Sequence, residues 1–272
     1  MTKRRAVLLL LLLAPGPARA DERPLVIAST TSTEQSGLFT HLLPILRAQT
    51  GIAARVVALG TGQALDVARR GDADVVLVHD REMEERFVAE GWGTERRGVF
   101  FNDFVLLGPE ADPARIAGLA DAPAALRRIA AARAPFVSRG DRSGTHAAEL
   151  RLWQAAGLDP VREGRGAWYR EVGQGMGPAL NTAAAQSAYI LADRGTWLAF
   201  RNRQTLRVLA EGDARLHNPY GVIAVNPVRH RHVNAEGARR FVAWLVGPEG
   251  QAAVASFRIA GEALFFPSAE GQ

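Results

Sequence analysis

The chain of 272 residues has no cysteine, and its single lysine is Lys3. Without cysteine there is no disulfide, no thiolate nucleophile, no iron–sulfur ligation and no cysteine-based zinc site. Without lysine in the body of the chain there is no Walker lysine, Schiff base or catalytic ammonium. No apolar run after the first twenty residues is long enough to cross a bilayer. A true excess of positive charge is also missing. The formal charge is +5, but Lys3, Arg4, Arg5 and Arg19 lie in the first twenty residues, leaving 29 basic against 28 acidic residues beyond them. Nucleic-acid binding therefore loses its compositional support. What remains is 47% hydrophobic and 22% charged, with 27 glycines and 14 prolines. That suits a chain burying a sizeable core in one large domain or two lobes.

The first twenty residues read as a secretory signal. Lys3-Arg4-Arg5 is a positive n-region, Ala6 to Leu13 is an apolar run too short to span, and Ala18-Arg19-Ala20 is an A-x-A cleavage signal. Cleavage after Ala20 is expected to release a soluble protein outside the cytoplasm. No lipobox cysteine accompanies the signal, which favours a free periplasmic protein.

From Leu25 onward short β-branched runs alternate with helical patterns. Strands are expected at 25–28, 55–59 and 75–78, and helices at 37–49, 62–70 and 82–90. Strand–helix alternation predicts an α/β fold with a parallel sheet and right-handed crossovers. Two β-prone runs flank Asn102-Asp103, and a second βα series follows: helices over 126–132, 144–156 and from 179 to 186, strands at 136–137, 189–191 and 206–209. A strand at 220–225 and helices over 236–246 and 248–257 then return to the first unit. The division expected is residues 21–103 with 214–272 as one α/β lobe, and 104–213 as the other. Two crossings make a hinge, and the crevice at the carboxyl ends of the strands is where a ligand binds.

Four segments at strand-to-helix transitions or helix starts carry chemistry. Ser29-Thr30-Thr31-Ser32-Thr33 places five hydroxyls beside free backbone N–H groups, although helix capping needs only one. Gly60-Thr61-Gly62-Gln63 permits close backbone approach and adds a hydroxyl; a plain βα turn is the alternative. Ser138-Arg139-Gly140-Asp141-Arg142-Ser143-Gly144-Thr145-His146 offers a guanidinium fork, a carboxylate to hold it, and hydroxyls and amides at a helix start. Gly173-Gln174-Gly175-Met176-Gly177-Pro178 brings three glycines into another helix, with a flexible connection as the alternative. A pocket built almost wholly of donors suits a fully deprotonated oxyanion.

These segments, with Gly71-Asp-Ala-Asp-Val75, Leu77-Val-His79, Asn102-Asp-Phe-Val105 and Asp193-Arg-Gly-Thr196, resemble the tungstate-binding component of tungstate ABC transporters, in the same order over nearly the whole mature chain. The resemblance implies a two-lobed type II periplasmic-binding-protein fold. It also implies an oxyanion site at Thr30, Thr31, Ser32, Thr61, Arg139, Ser143, Gly144 and Thr145. Ser29 stands where threonine is expected, and Arg142 where an acid is common. The implied protein is a periplasmic monomer that needs no cofactor or resident metal and hands tungstate to an ABC permease and its ATPase at the inner membrane.

The rivals are carriers of molybdate, phosphate or sulfate. Phosphate keeps a proton near neutral pH and benefits from a carboxylate acceptor, which 29–33 and 60–63 lack. An exported hydrolase using Asp141, Ser143 and His146 is disfavoured, since proximity in sequence makes no triad and there is no G-x-S-x-G elbow. The chain is read as a binding protein, not an enzyme. His230-x-His232 would point one way on a strand and could hold a metal, but Arg229 and Arg231 disfavour a cation and a solvated basic loop is expected.

Overall fold

The computed structural model describes residues 23–259 and 261–269. The expected signal segment lies outside the described residues. The first series is β1 (Leu25–Thr30), α1 (Thr31–Gln35), α2 (Leu38–Thr50), β2 (Ala54–Leu59), α3 (Thr61–Arg69), β3 (Val75–Val78), α4 (Arg81–Ala89) and β4 (Gly93–Pro109). Then come α5 (Ala122–Ala131), β5 (Phe136–Ser138), α6 (Gly144–Ala155), α7 (Pro160–Gly164), β6 (Tyr169–Glu171), α8 (Met176–Gln186), β7 (Tyr189–Asp193), α9 (Arg194–Ala199) and β8 (Leu206–Ala210). The chain returns through β9 (His217–Val225), α10 (Ala235–Val246) and α11 (Pro248–Ser256), and ends in short strands β10 (Arg258–Ile259), β11 (Glu262–Ala263) and β12 (Phe266–Pro267).

Two sheet regions share one strand. The first runs β2-β1-β3-β9-β4, with β12 on β4; the second continues from β4 through β7, β5 and β6, with β8 on the other side of β4. β4 pairs with β9 as far as Asp103, and from Phe104 it pairs with β7. The chain passes back at the start of β9: Leu216 is buried in the second lobe's core, and His217 already pairs with Asp103.

Each sheet is covered on both faces, which is why its strands read as continuous apolar runs. In the first lobe α2, α10 and α11 pack on one face through Leu38, Leu42, Phe241 and Val254. The other face takes Leu65, Ala68 and Phe87 from α3 and α4. In the second lobe Leu126, Ile129 and Trp153 cover one face, and Met176, Leu180 and Trp197 the other.

The expectation of a parallel sheet needs correction. β1 is parallel to β2 and β3, and β5 to β6 and β7, but β9 runs antiparallel to both β3 and β4. A strand that comes back from the second lobe enters the first sheet from the opposite end. The two β-prone runs around Asn102-Asp103 are one 17-residue strand. Its polar first part, Thr94-Glu95-Arg96-Arg97, has no alternation to reveal it, and register shifts interrupt it on either side of Arg96–Gly98.

Candidate oxyanion site

The chemistry-bearing segments converge because each is a helix start at the carboxyl end of a strand or beside one. Thr30 ends β1 and caps α1, its Oγ1 accepting from Thr33 N. Ser143 caps α6 by accepting from His146 N at 3.2 Å. Thr61, the first residue of α3, accepts on Oγ1 from Gly144 N of the other lobe at 3.0 Å. In Thr61 and Ser143 the backbone N–H occupies one lone pair and the hydroxyl hydrogen is left to donate.

The second lobe supplies the charge. Arg139 follows β5 and is 1% exposed. Its Nε and Nη2 donate to Asp141 Oδ2 at 3.2 and 2.6 Å, and Nη2 reaches Thr31 Oγ1 across the cleft at 3.5 Å. Asp141 Oδ1 accepts from Ser143 N at 3.1 Å, so both of its oxygens are engaged by the protein. Arg139 Nη1 and Thr145 Oγ1 are buried and have no hydrogen-bond partner in the protein. Buried polar atoms are ordinarily paired, so this donor and this hydroxyl mark a place for an acceptor.

The lobes meet tightly here. A Cβ on Gly144 would lie 3.0 Å from Thr61 Oγ1 and from the ring of His79. Thr196 Oγ1 donates to Ser32 O at 3.2 Å, and Arg151 Nη1 of α6 lies 3.0 Å from Asp80 Oδ2, the cap of α4. An open cavity of about 430 Å³ lies beyond His79, between Arg81, Arg151, His217 and Asn218.

A PBP superfamily domain matches residues 15–249. The tungstate-binding protein TupA of Peptoclostridium acidaminophilum is 44% identical over 249 residues, covering 90% of this chain and 86% of that protein. The chain belongs to the PBP superfamily and, within it, to the TupA family. Among solved structures, the tungstate-binding TupA of Desulfovibrio alaskensis G20 is 42% identical with a TM-score of 0.78, covering 91% of this chain and all of that one, 100%. The tungstate ABC transporter structure from Geobacter sulfurreducens is 46% identical with a TM-score of 0.79, covering 87% and 99%. A PBP superfamily member has its two lobes around a ligand cleft, and the layout above is of that kind.

Within this TupA-family chain the sequence-predicted residues separate by role. Thr31, Thr61, Arg139, Ser143, Gly144 and Thr145 surround the meeting of the lobes. Thr30 Oγ1 instead lies 2.6 Å from Thr33 Oγ1 and 3.2 Å from Ser32 Oγ, within its own loop. Ser32 Oγ is 3.4 Å from His79 Nε2. Ser29 lies behind the site, donating to Leu77 O at 2.6 Å. Arg142 is exposed.

His79 joins this arrangement although only its place after β3 signalled it. Asn218 Nδ2 donates to Asn102 Oδ1 at 2.6 Å, which leaves Asn218 Oδ1 to accept from His79 Nδ1 at 3.0 Å. Burial pushes the His79 pKa down to about 4, against the hydrogen bond to Asn218 and with help from the Arg139 charge. A neutral ring with its proton on Nδ1 thus ties the hydroxyl loop to both crossing strands.

The hydrolase alternative loses its geometry. Ser143 Oγ serves the backbone of His146, and His146 Nδ1 accepts from Arg142 N at 3.1 Å. No hydrogen bond joins the two side chains. His230 and His232 lie in a turn, not on a strand, and each Nε2 pairs with a different backbone carbonyl, Arg69 O and Gly71 O, both at 2.9 Å.

Proposed function

We propose that this protein captures tungstate and delivers it to an ABC importer. The observation that carries the reading is the polarity of the site. Thr61 and Ser143 each have a lone pair occupied by a backbone N–H, Arg139 Nη1 is buried without a partner, and the carboxylate that holds Arg139, Asp141, is spent on Arg139 and Ser143 N. Such a pocket is richest in donors, which favours a tetrahedral dianion without a proton. The TupA relatives support tungstate in particular.

Thr31, Thr61, Arg139, Ser143, Gly144 and Thr145 hold the anion, and the loop of Thr30 and Ser32 holds them in place. Binding favours the joined lobes because donors come from both sides, so the ligand's differential contacts drive closure. Release at the permease follows when the lobes part. The protein is exported by residues 1–20, works in the periplasm as a monomer with a permease and its ATPase, performs no catalysis and needs no cofactor.

Thermal unfolding with tungstate, molybdate, sulfate and phosphate tests this. A thousandfold excess of tungstate over its Kd adds about 4 kcal/mol of apparent stability, and phosphate adds none. Equal stabilisation by phosphate overturns the assignment; equal stabilisation by molybdate broadens it to both dianions.

A further inference from the structure

The glycine segment at 173–177 had a flexible connection as its plain reading, yet it is built into the meeting of the lobes. Gln174 N donates to Arg139 O at 3.3 Å, so the segment is fastened to the residue that carries the site's charge. Gly175 caps α8 without any side-chain hydrogen bond. A Cβ on Gly175 would lie 3.4 Å from Thr31 Oγ1, the same atom that Arg139 Nη2 approaches at 3.5 Å from the other side. Thr31, Arg139 and the start of α8 therefore share one point.

The start of α8 is a source of donors. Met176 and Gly177 occupy its first two positions, where backbone N–H groups have no carbonyl within the helix. Met176 is fully buried and its side chain packs in the second lobe's core, which fixes the start of α8 against that lobe. Pro178, the next residue, has no N–H, which confines the free donors to 175–177. The helix spans 11 residues and directs the positive end of its dipole at the same point. Beside it stands the buried Arg139 guanidinium, with Nη1 unpartnered.

We propose that Gly175–Gly177 is a further binding element of the oxyanion site, in which the Met176 and Gly177 N–H groups donate to the anion beside Arg139 and Thr31. This rests on the oxyanion reading above. Gly175 is needed for its missing side chain and not for its backbone: its φ of −62° and ψ of 173° suit any residue. A β-branched side chain there fills the space between Thr31 and α8 without straining the turn.

Gly175→Val is the first test. Tungstate titrated calorimetrically should bind the variant about tenfold more weakly or worse, the equivalent of at least one lost hydrogen bond to a charged group. The unliganded variant should melt like the wild type. The second test needs no variant: in the wild-type protein, tungstate should shift the amide protons of Met176 and Gly177 downfield and slow their exchange, together with those of Gly144 and Thr145. If the wild type binds tungstate, Gly175→Val binds within threefold of it and the 176–177 amides do not move, this inference is overturned while the function stands. If the wild type binds no tungstate, the function itself fails and this inference goes with it.

Discussion

Arg139→Ala should be the most damaging single change in the site. The guanidinium is 1% exposed, and two of its three nitrogens are held on one carboxylate oxygen, so its position is fixed before the ligand arrives. Removing one member of a buried, charge-assisted pair costs roughly 2–5 kcal/mol. That is a loss of about thirtyfold to a few thousandfold in affinity. Part of the loss has a separable origin, since without Arg139 the Asp141 carboxylate keeps its charge beside an incoming dianion. Adding Asp141→Ala to Arg139→Ala should therefore recover some of the affinity, with a coupling of about 0.5–3 kcal/mol. Asp141→Ala alone should weaken binding, because it frees the guanidinium to move and removes the acceptor of Ser143 N. Arg142→Ala is the control: its side chain is exposed, it acts only through screened attraction, and any effect should vanish at high salt. The assay is calorimetric titration with tungstate on variants shown to be folded by circular dichroism. If Arg142→Ala is the more damaging of the two, the anion lies on the other side of this loop and the site is wrongly placed.

Other outcomes are equally concrete. Arg151→Ala removes an ion pair between the lobes; with the arginine side chain half exposed the pair is worth about 0.5–1 kcal/mol after screening, so tungstate should bind about two- to fivefold more weakly, and an unchanged Kd would show that the pair plays no part in closure. Burial pushes the Glu149 carboxyl up to about 8, so the folded protein holds a proton that the unfolded chain has released and stability falls as pH rises from the ordinary carboxyl value to about 8. Glu149→Gln should make that fall shallower between pH 7 and 8, where Glu84, raised by burial to about 7 and so only half titrated at pH 7, supplies the remainder; denaturant midpoints from pH 5 to 9 read the slope, and a variant slope above pH 7 equal to the wild type's refutes the assignment. Protein recovered from the periplasm should begin at Asp21 by intact mass, and recovery of the full-length chain in membranes would contradict export with cleavage.

Most helices and strands were legible because apolar periodicity and capping residues coincide: Val75–Val78 appears as expected, and helices 37–49 and 82–90 move by only a residue or so at their ends. What was hidden depends on contacts distant in sequence. The polar start of β4 becomes a strand because β9 lies beside it, and Arg96 is held there by Glu84 at 2.6 Å. α7, β6 and α9 are too short for periodicity to show. In the site, residue types revealed donors but not their direction. The sequence shows five consecutive hydroxyls; only packing assigns Ser29 to Leu77, Ser32 to His79 and Thr31 to the cleft. His79 and Gly175 stood in segments the sequence singled out, but it gave neither a role: the His79 bond to Asn218 and the approach of Gly175 to Thr31 are contacts distant in sequence.

The seating of β9 between β3 and β4 bears on the order in which the protein is made. Val75 finds its partner Ala224 only after the entire second lobe has been synthesised, and without β9 the first sheet is reduced to β2, β1 and β3, with β4 detached. Pairings this distant form slowly, because the closure entropy of the intervening chain comes before any contact is gained. A nascent chain thus cannot complete its first lobe while its C-terminal quarter is still on the ribosome. The first sheet therefore stays incomplete, and the cleft beside it unfinished, until β9 (His217–Val225) has been made.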